Sequence, residues 1–234
     1  MIADKFNLTR AQNEALAKKL LRESIYSGVK LEGSPITFPE TITILDGVNV
    51  PGASLEDIQK ILNLRDAWRE LMNTLDEPLN LDYTCKINGL IARNESVEWG
   101  VLRYGSVGIG GTEYTPELPD RETASKAIEA ILSDEARSVT ERAIRLFMYA
   151  TRAQLFWDGN KRTSMLIANK LLIVNGRGIL TVPDKRLLEF NERLIAFYET
   201  DDYSKLDSFM AECCIEGMTI ERQEPQKKND DPTR

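Results

Sequence analysis

The residues of this chain that are best suited to chemistry lie in one short stretch, residues 154–162, which reads Gln-Leu-Phe-Trp-Asp-Gly-Asn-Lys-Arg. A carboxylate, a Gly-Asn turn and two cations come here immediately before an apolar run with helical periodicity. The first N–H groups of a helix have no partner within the helix, and the helix dipole favours negative charge beside them. The stretch therefore predicts an anion site at a helix start, of the kind that binds phosphate.

Individual side chains in the stretch suit parts of such a site. Asp158 can supply one oxygen to Mg²⁺, which typically takes one or two carboxylates and leaves its other positions to phosphates and water. The chain turns at Gly159, and Asn160 is predicted to cap the helix that follows. Arg162, one turn into that helix, offers a forked donor to phosphate oxygens. The alternative is an ordinary turn between two helices, with basic residues on a solvated face.

Composition limits the classes of protein to consider. At 234 residues with 42% hydrophobic content, the chain can bury a core as one compact unit. The net charge of −7 predicts no binding of nucleic acid or of an anionic membrane, so any anion site must be local. The N-terminus has no apolar signal segment, and the longest nearly apolar run, residues 165–174, is far shorter than the ~20 residues of a membrane helix. These features predict a cytoplasmic protein that does not enter a membrane.

Most of the chain shows helical periodicity, so we predict a mostly α-helical fold. The first two helices open at capping sequences that begin at Thr9 and Ser54, and a polar connection at residues 45–53 precedes the second. The remaining predicted helices cover about residues 80–92, 122–132, 139–155, 161–174, 184–200 and 204–216. Glycines interrupt the segment 99–119, which predicts a β-hairpin and a loop. The polar tail at residues 223–234 is predicted to be disordered.

The stretch 154–162 resembles the signature loop of the Fic (Fido) family, which reads His-x-Phe-x-Asp/Glu-Gly-Asn-Gly-Arg-x-x-Arg. The residues shared at the family's spacing are Phe156, Asp158, Gly159, Asn160 and Arg162. Residues 100–116 resemble the family's flap hairpin, which aligns a segment of a target protein by strand addition. Residues 197–209 are similar to the helix-turn-helix that closes the Fic core. The motifs occur in the family's order and span roughly residues 80–214.

The resemblance implies a fold and its division. The fold is a mostly α Fic core with a β-hairpin flap and an N-terminal inhibitory helix packed over the site. Residues 1–53 form the N-terminal helical region, residues 54–222 the Fic core, and residues 223–234 the tail. The target protein would bind at the flap, at Ile109, Gly110, Gly111 and Thr112. The sequence leaves the oligomeric state open, a homodimer included.

The resemblance also implies an activity. Fic proteins typically transfer AMP from ATP to a Ser, Thr or Tyr hydroxyl of a target protein, with the signature His as the base. Mg²⁺ and the loop amides hold the phosphates while pyrophosphate leaves. In this chain, Asp158 would bind Mg²⁺, and Asp158 and Arg162 would hold catalytic positions. The implied nucleotide-binding residues are Gly159, Asn160, Lys161 and Arg162.

Three residues depart from the family's loop. Gln154 stands in place of the catalytic His, and the chain contains no histidine. A Gln can hydrogen-bond a hydroxyl but cannot carry its proton at neutral pH, and a positioned base contributes ~10²–10⁴-fold in rate. Lys161 replaces the usual Gly, an ending shared with the Doc toxins, which transfer phosphate rather than AMP. Met165 stands where many AMP-transferring members have a second Arg, and we predict that it lies in the core.

The N-terminal segment 28–33 resembles the family's inhibitory motif, Ser/Thr-x-x-x-Glu-Gly/Asn, which places a Glu beside that second Arg. Glu32 and Gly33 match the motif, while Gly28 replaces the usual Ser or Thr. Because Met165 has replaced the Arg, we expect Glu32 to contact one of the two loop cations or to stay in water. A buried carboxylate without a partner would be costly.

Three functions remain open from the sequence. The first is a Fic-type adenylyltransferase whose activity is weakened or lost because of Gln154. The second is a pseudoenzyme that binds nucleotide or a target protein as a regulatory module. The third is a Doc-like phosphotransferase, which Lys161 suggests and the missing base opposes. The implied cofactors are ATP, or another nucleotide, and Mg²⁺.

Overall fold

The computed structural model of this chain describes residues 1–218, so the predicted tail at 223–234 lies outside the described residues. Within residues 1–218 the chain forms ten α-helices, one 3-10 helix and two short strands, and is mostly α as predicted. In chain order these are α1 (Arg10–Lys19), α2 (Leu21–Lys30), α3 (Phe38–Leu45), α4 (Leu55–Asn73), α5 (Leu81–Ile91), α6 (Arg121–Ser133), α7 (Val139–Ala153), α8 (Asn160–Val174), β1 (Ile179–Leu180), the 3-10 helix (Asp184–Arg186), α9 (Leu187–Thr200), α10 (Ser204–Cys213) and β2 (Ile215–Glu216).

Helix α8 is the central helix of the fold. Helices α1, α2, α4, α5 and α7 all pack against it. Most of its residues are buried, on every side of the helix, as expected of a helix in the interior. Its polar side chains bond within this interior, and the Asn169 amide bonds both the N–H and the C=O of Leu180. The rest of the fold therefore surrounds the apolar helix predicted after the loop, and the loop lies at its N-terminal end.

The N-terminal helical region differs from the prediction in two ways. The helix that opens at Thr9, with its predicted capping box to Gln12, is divided at Leu20 into α1 and α2. Helix α3 is not among the predicted elements, although Thr37 and Glu40 form a second capping box at its start. Helix α2 packs against both α4 and α8, and so carries the residues that follow it to the start of α8.

The segment 99–119, which includes the predicted flap and is called the flap from here on, forms no β-strand, which corrects the predicted hairpin. The two strands of the described chain lie elsewhere, with Ile179 of β1 opposite Glu216 of β2 in an antiparallel pair. Glycines at positions 105, 108, 110 and 111 weaken any strand here, because they add backbone entropy and no side chain to pack. The flap therefore runs as an irregular loop, with a turn at Gly110 and Gly111.

Three helix ends also differ from the prediction. Helix α7 stops at Ala153, because Gln154 adopts a left-handed backbone conformation. The predicted helix 184–200 begins as the 3-10 helix before α9, and the predicted helix 204–216 ends at Cys213 because the next residues pair with β1. Within residues 1–218, no helix combines the length and the apolar character that crossing a membrane requires.

Candidate functional site

The loop between α7 and α8 is held in one shape by Gln154 and Asn160. Gln154 follows α7 with φ at 45° and ψ at 58°. Its Nε2 donates to the carbonyl of Thr151 (2.7 Å), and its Oε1 accepts from Nδ2 of Asn160 (3.0 Å). Asn160 in turn bonds both the N–H and the C=O of Phe156, at 2.9 and 2.8 Å. Both polar ends of the Gln154 amide are therefore used in shaping the loop.

The start of α8 corrects one predicted role. The N-cap residue is Gly159, with φ at 71°, and Asn160 is the first helical residue rather than the cap. A Cβ on Gly159 would lie 2.7 Å from Cγ2 of Ile91, so glycine is required where the loop approaches α5. No side chain of the described chain caps α8. Its first amides therefore keep their capacity to bind an anion.

Arg162 is fully buried and lies among three carboxylates from different parts of the chain. Its Nη1 and Nη2 pair with Glu95, at 3.0 and 2.8 Å. Its Nε pairs with Glu32 (3.3 Å), and its Nη2 also with Asp158 (3.2 Å). All three guanidinium nitrogens are thus engaged within the protein. Arg162, the predicted phosphate donor, is therefore fully occupied by carboxylates in this structure.

Glu32 lies in the turn after α2, where Gly33 has a positive φ of 74°, and it contacts both cations of the loop. Its Oε2 is 3.4 Å from Nζ of Lys161, which also donates to the carbonyl of Leu31. Burial alone would raise the pKa of the Glu32 carboxyl, but the charges of Lys161 and Arg162 hold that pKa below its usual value. Glu32 is therefore ionised at neutral pH. It was expected to contact one loop cation or to stay in water, and it contacts both cations.

Glu95 is a site residue that the sequence reasoning did not identify. Its side chain is 4% exposed, and Nδ2 of Asn63 donates to its Oε1 at 2.8 Å. Asn94 before it has a φ of 63°, a conformation that Asn tolerates better than most residues. This turn after α5 directs Glu95 back onto Arg162. The local signal in the sequence is Asn94, which marks a turn but not a buried acid.

Two of the departures from the Fic pattern, Gly28 and Met165, are in contact. Met165 is fully buried, as predicted. A Cβ on Gly28 would lie 3.0 Å from Cε of Met165 and 3.1 Å from Cδ1 of Leu64. The methyl end of Met165 therefore fills the space that a side chain at position 28 would need.

Asp158 has the chemistry of one magnesium ligand. Its side chain is 40% exposed, and its Oδ1 accepts from the N–H of Gly159 and pairs with Arg162. Within residues 1–218, no group of three or more candidate ligands could hold a metal ion by itself. A single exposed carboxylate at a helix start fits Mg²⁺ that arrives with phosphates, since the phosphates and water complete its shell.

The flap contacts the loop through Trp157. The Trp157 ring lies edge-on to Tyr104, with ring centroids 5.3 Å apart and planes at 85°. It also lies against Gly105, where an added Cβ would be 2.5 Å from Cη2 of Trp157. Trp157, which occupies the second variable position of the signature loop, is thus the residue through which the loop contacts the flap.

The four predicted docking residues lie at the tip of the flap. Ile109 is partly buried against the core cluster that includes α9 and α10, and Gly111 lies beside Ile195 of α9. Gly110 is exposed, and Thr112 accepts from the N–H of Tyr114 through Oγ1 (3.1 Å). The tip therefore rests on α9, while the first part of the flap rests on the loop.

Comparison with known proteins gives this arrangement a family. Residues 78–172 match the family described as the Fic/DOC family. That range holds α5, the flap, α6, α7, the loop and most of α8. Residues 78–172 are similar to a Fic/DOC domain.

Curated proteins that are similar to this chain are named as protein adenylyltransferases. Protein adenylyltransferase fic-1 of Caenorhabditis elegans is 25% identical over 203 residues, which are 81% of this chain and 39% of that protein. Protein adenylyltransferase Fic of Drosophila willistoni is 27% identical over 218 residues, which are 88% of this chain and 41% of that protein. The chain thus spans about two fifths of the length of these curated relatives.

Solved structures show the same fold. Fic-1 (residues 134–508) from Caenorhabditis elegans matches with a TM-score of 0.74 at 22% identity, over 86% of this chain and 62% of that one. A Fic domain containing signaling protein from Bacteroides thetaiotaomicron matches with a TM-score of 0.71 at 17% identity, over 88% of this chain and 87% of that one. The helical core around α8 is therefore a Fic fold.

Proposed function

We propose that this Fic/DOC domain binds a nucleoside triphosphate at the start of α8, that Glu32 closes the site, and that AMP transfer to a target hydroxyl is slow because Gln154 is not a base. The Glu32 carboxylate carries the proposal, because it contacts both Lys161 and Arg162 at the start of α8. The N-terminus of a helix and the guanidinium of an arginine both bind anions, and the Glu32 carboxylate occupies the position where such an anion would bind. The names of the adenylyltransferase relatives support ATP as that anion.

The charges of the site support closure by Glu32. Three carboxylates and two cations meet here, which leaves one net negative charge. A triphosphate carries several negative charges, so this balance repels it. Withdrawal of Glu32 with the turn after α2 would leave the site neutral and would free an edge of Arg162 and the Lys161 ammonium. Asp158 would then contribute its oxygen to the Mg²⁺ that accompanies the nucleotide.

Gln154 supports slow transfer. Its amide cannot accept a proton at neutral pH, and both its polar ends are bonded to Thr151 and Asn160. A site without a positioned base is slower by ~10²–10⁴-fold. These two hydrogen bonds of Gln154 also favour a second candidate function, a domain that binds nucleotide but does not transfer AMP. Phosphate transfer has less support, because the Lys161 ammonium is held by Leu31 and Glu32.

Calorimetric titration with ATP and Mg²⁺ tests the binding site. Glu32→Gln keeps the size of the side chain and removes its charge, so this variant should bind ATP about tenfold more tightly than wild type, or better. Glu23→Gln changes an exposed Glu on α2, the helix that precedes Glu32, and should bind as wild type does. If neither wild type nor Glu32→Gln binds ATP, the proposed nucleotide site is wrong.

Labelled ATP then separates the candidate reactions. The Glu32→Gln variant is incubated with Mg²⁺, a cell lysate and ATP labelled at the α or the γ phosphate. Label from the α position alone identifies AMP transfer, and label from the γ position alone identifies phosphate transfer. ATP binding without label from either position identifies a binding function and overturns the transfer part of the proposal.

A further inference from the structure

Arg103, near the start of the flap, is buried to 2% exposure, and its side chain donates to main-chain carbonyls. Its Nε donates to Gln154 (2.6 Å) and its Nη1 to Gly105 (2.7 Å). Its Nη2 donates to Pro116 (3.2 Å) and Glu117 (2.5 Å). All three guanidinium nitrogens are therefore satisfied by peptide oxygens.

The charge of Arg103 is buried without a counter-ion. Among residues 1–218, no carboxylate lies within ion-pair distance of it, whereas Arg162 has three. Burial lowers the pKa of the Arg103 guanidinium. A buried charge without an opposite charge is costly, so the carbonyl dipoles must replace its water shell. A cost of this kind is consistent with a role that an apolar side chain could not perform.

The carbonyls that Arg103 binds come from three places in the chain. Gly105 belongs to the first arm of the flap, Pro116 and Glu117 to its second arm, and Gln154 to the loop at the end of α7. The described flap has no β-ladder to join its arms, so this guanidinium joins them instead. The N–H of Arg103 adds a further bond to the loop, to the carbonyl of Leu155 at 3.0 Å.

We propose that Arg103 is a positioning residue that fixes both arms of the flap and the main chain of Gln154 as one unit. The side chain at position 154 and the surface of the flap then keep a fixed distance and orientation. Movement of one would be passed to the other through the same guanidinium. This role does not depend on the proposed nucleotide site, because it concerns contacts within the protein.

Arg103→Lys and Arg103→Met test the proposal by hydrogen exchange. Lys keeps the charge but has one nitrogen and no fork, so it cannot bind carbonyls in three places. We expect peptides that cover residues 103–117 and 154–159 to exchange about tenfold faster in both variants, with α4 and α8 unchanged. Arg121→Met removes an exposed Arg beside the flap and should leave every peptide as in wild type. No change in the flap, or equal acceleration in α4, would overturn the proposal.

A spectroscopic readout separates positioning from general stability. The chain has three tryptophans, at positions 68, 99 and 157, so fluorotryptophan labelling gives three ¹⁹F resonances. Trp157 contacts the flap at Tyr104 and Gly105, whereas Trp68 is fully buried in α4. Arg103→Lys should shift or broaden the Trp157 resonance and leave the Trp68 resonance in place. An unchanged Trp157 resonance, or equal changes in both, would show that Arg103 does not position the flap on the loop.

Discussion

Glu95 and Arg162 form a two-point ion pair in the interior, with Nη1–Oε1 at 3.0 Å and Nη2–Oε2 at 2.8 Å. The two residues are 67 positions apart in the chain, and neither side chain is more than 4% exposed. Glu95 therefore fixes the outer edge of the guanidinium, so that its Nε edge faces Glu32. The orientation of Arg162 is set by a residue outside the signature loop.

Glu95→Gln should destabilise the fold, because it removes a buried charge from beside Arg162. Loss of a sole partner from a buried pair costs ~3–5 kcal/mol. Glu32 and Asp158 remain as partners of Arg162, so we expect the free energy of unfolding, measured by urea denaturation, to fall by about 2 kcal/mol. Glu98→Gln changes an exposed acid three residues further on and should stay within ~0.5 kcal/mol of wild type. Equal stabilities of the two variants would contradict a structural role for the pair.

Gln154→His should increase transfer once Glu32 no longer closes the site. Histidine tolerates the left-handed conformation of position 154 better than most residues, so the loop can keep its shape. In the Glu32→Gln background, we expect the initial rate of AMP labelling to rise by ~10²-fold or more. Gln154→Asn, which also accepts this backbone but is no base, is the control. Equal rates for the His and Asn variants would show that a base at this position does not limit transfer.

Gly105→Ala should disturb the contact between flap and loop. The new Cβ would lie 2.5 Å from Cη2 of Trp157, so the ring or the flap must move, at a cost of ~1–3 kcal/mol. Gly108→Ala is a matched control in the same flap, because nothing lies within 4 Å of its Cβ position. Thermal denaturation should show a lower melting temperature for Gly105→Ala alone. Equal melting temperatures of the two variants would mean that Trp157 is not held against the flap.

Lys170 should make stability rise with pH in the alkaline range. Its Nζ lies 3.7 Å from the ring centroid of Tyr83, and burial lowers its pKa from 10.5 to about 8. Between pH 8 and 10.5 the unfolded state therefore binds more protons than the folded state, and the free energy of unfolding increases with pH. The other charged groups around it are Glu77 and Asp76, which raise its pKa, and Lys86 and Arg10, which lower it.

Urea denaturation across this range tests the assignment to Lys170. Lys170→Met should lose the part of the rise that lies between pH 8 and 10.5. Lys126→Met, which removes an exposed ammonium on α6, should keep the wild-type profile. Parallel profiles for wild type and Lys170→Met would show that this group titrates normally.

The helical core could be predicted because its signals are local. Apolar periodicity and capping residues placed the ends of α5, α6, α7 and α8 within two residues of their positions. The β-hairpin in the flap was predicted wrongly, because glycines mark turns but do not show that the residues between them form paired strands. Instead of paired strands, the side chain of Arg103 joins the two arms of the flap. No pattern in the sequence indicates that this arginine binds main-chain carbonyls.

The candidate site was predictable only where it is continuous in sequence. The stretch from Gln154 to Arg162 is one loop, and its relation to α8 follows from helix geometry. Glu95 was missed because its contact with Arg162 depends on how α5 and its final turn pack against α8. Glu32 was expected to contact one of the two loop cations or to stay in water, and packing of α2 against α8 brings it into contact with both cations.

The contact between Gly28 and Met165 makes the two departures interdependent. A Ser at position 28 would place its Cβ 3.0 Å from the Met165 methyl, and an Arg at position 165 would bring a guanidinium charge into an apolar cluster. Met165 therefore limits which residues fit at position 28, and the apolar cluster limits which residues fit at position 165. Because the two positions share one space, the effects of substitutions at 28 and 165 on stability are expected to be non-additive.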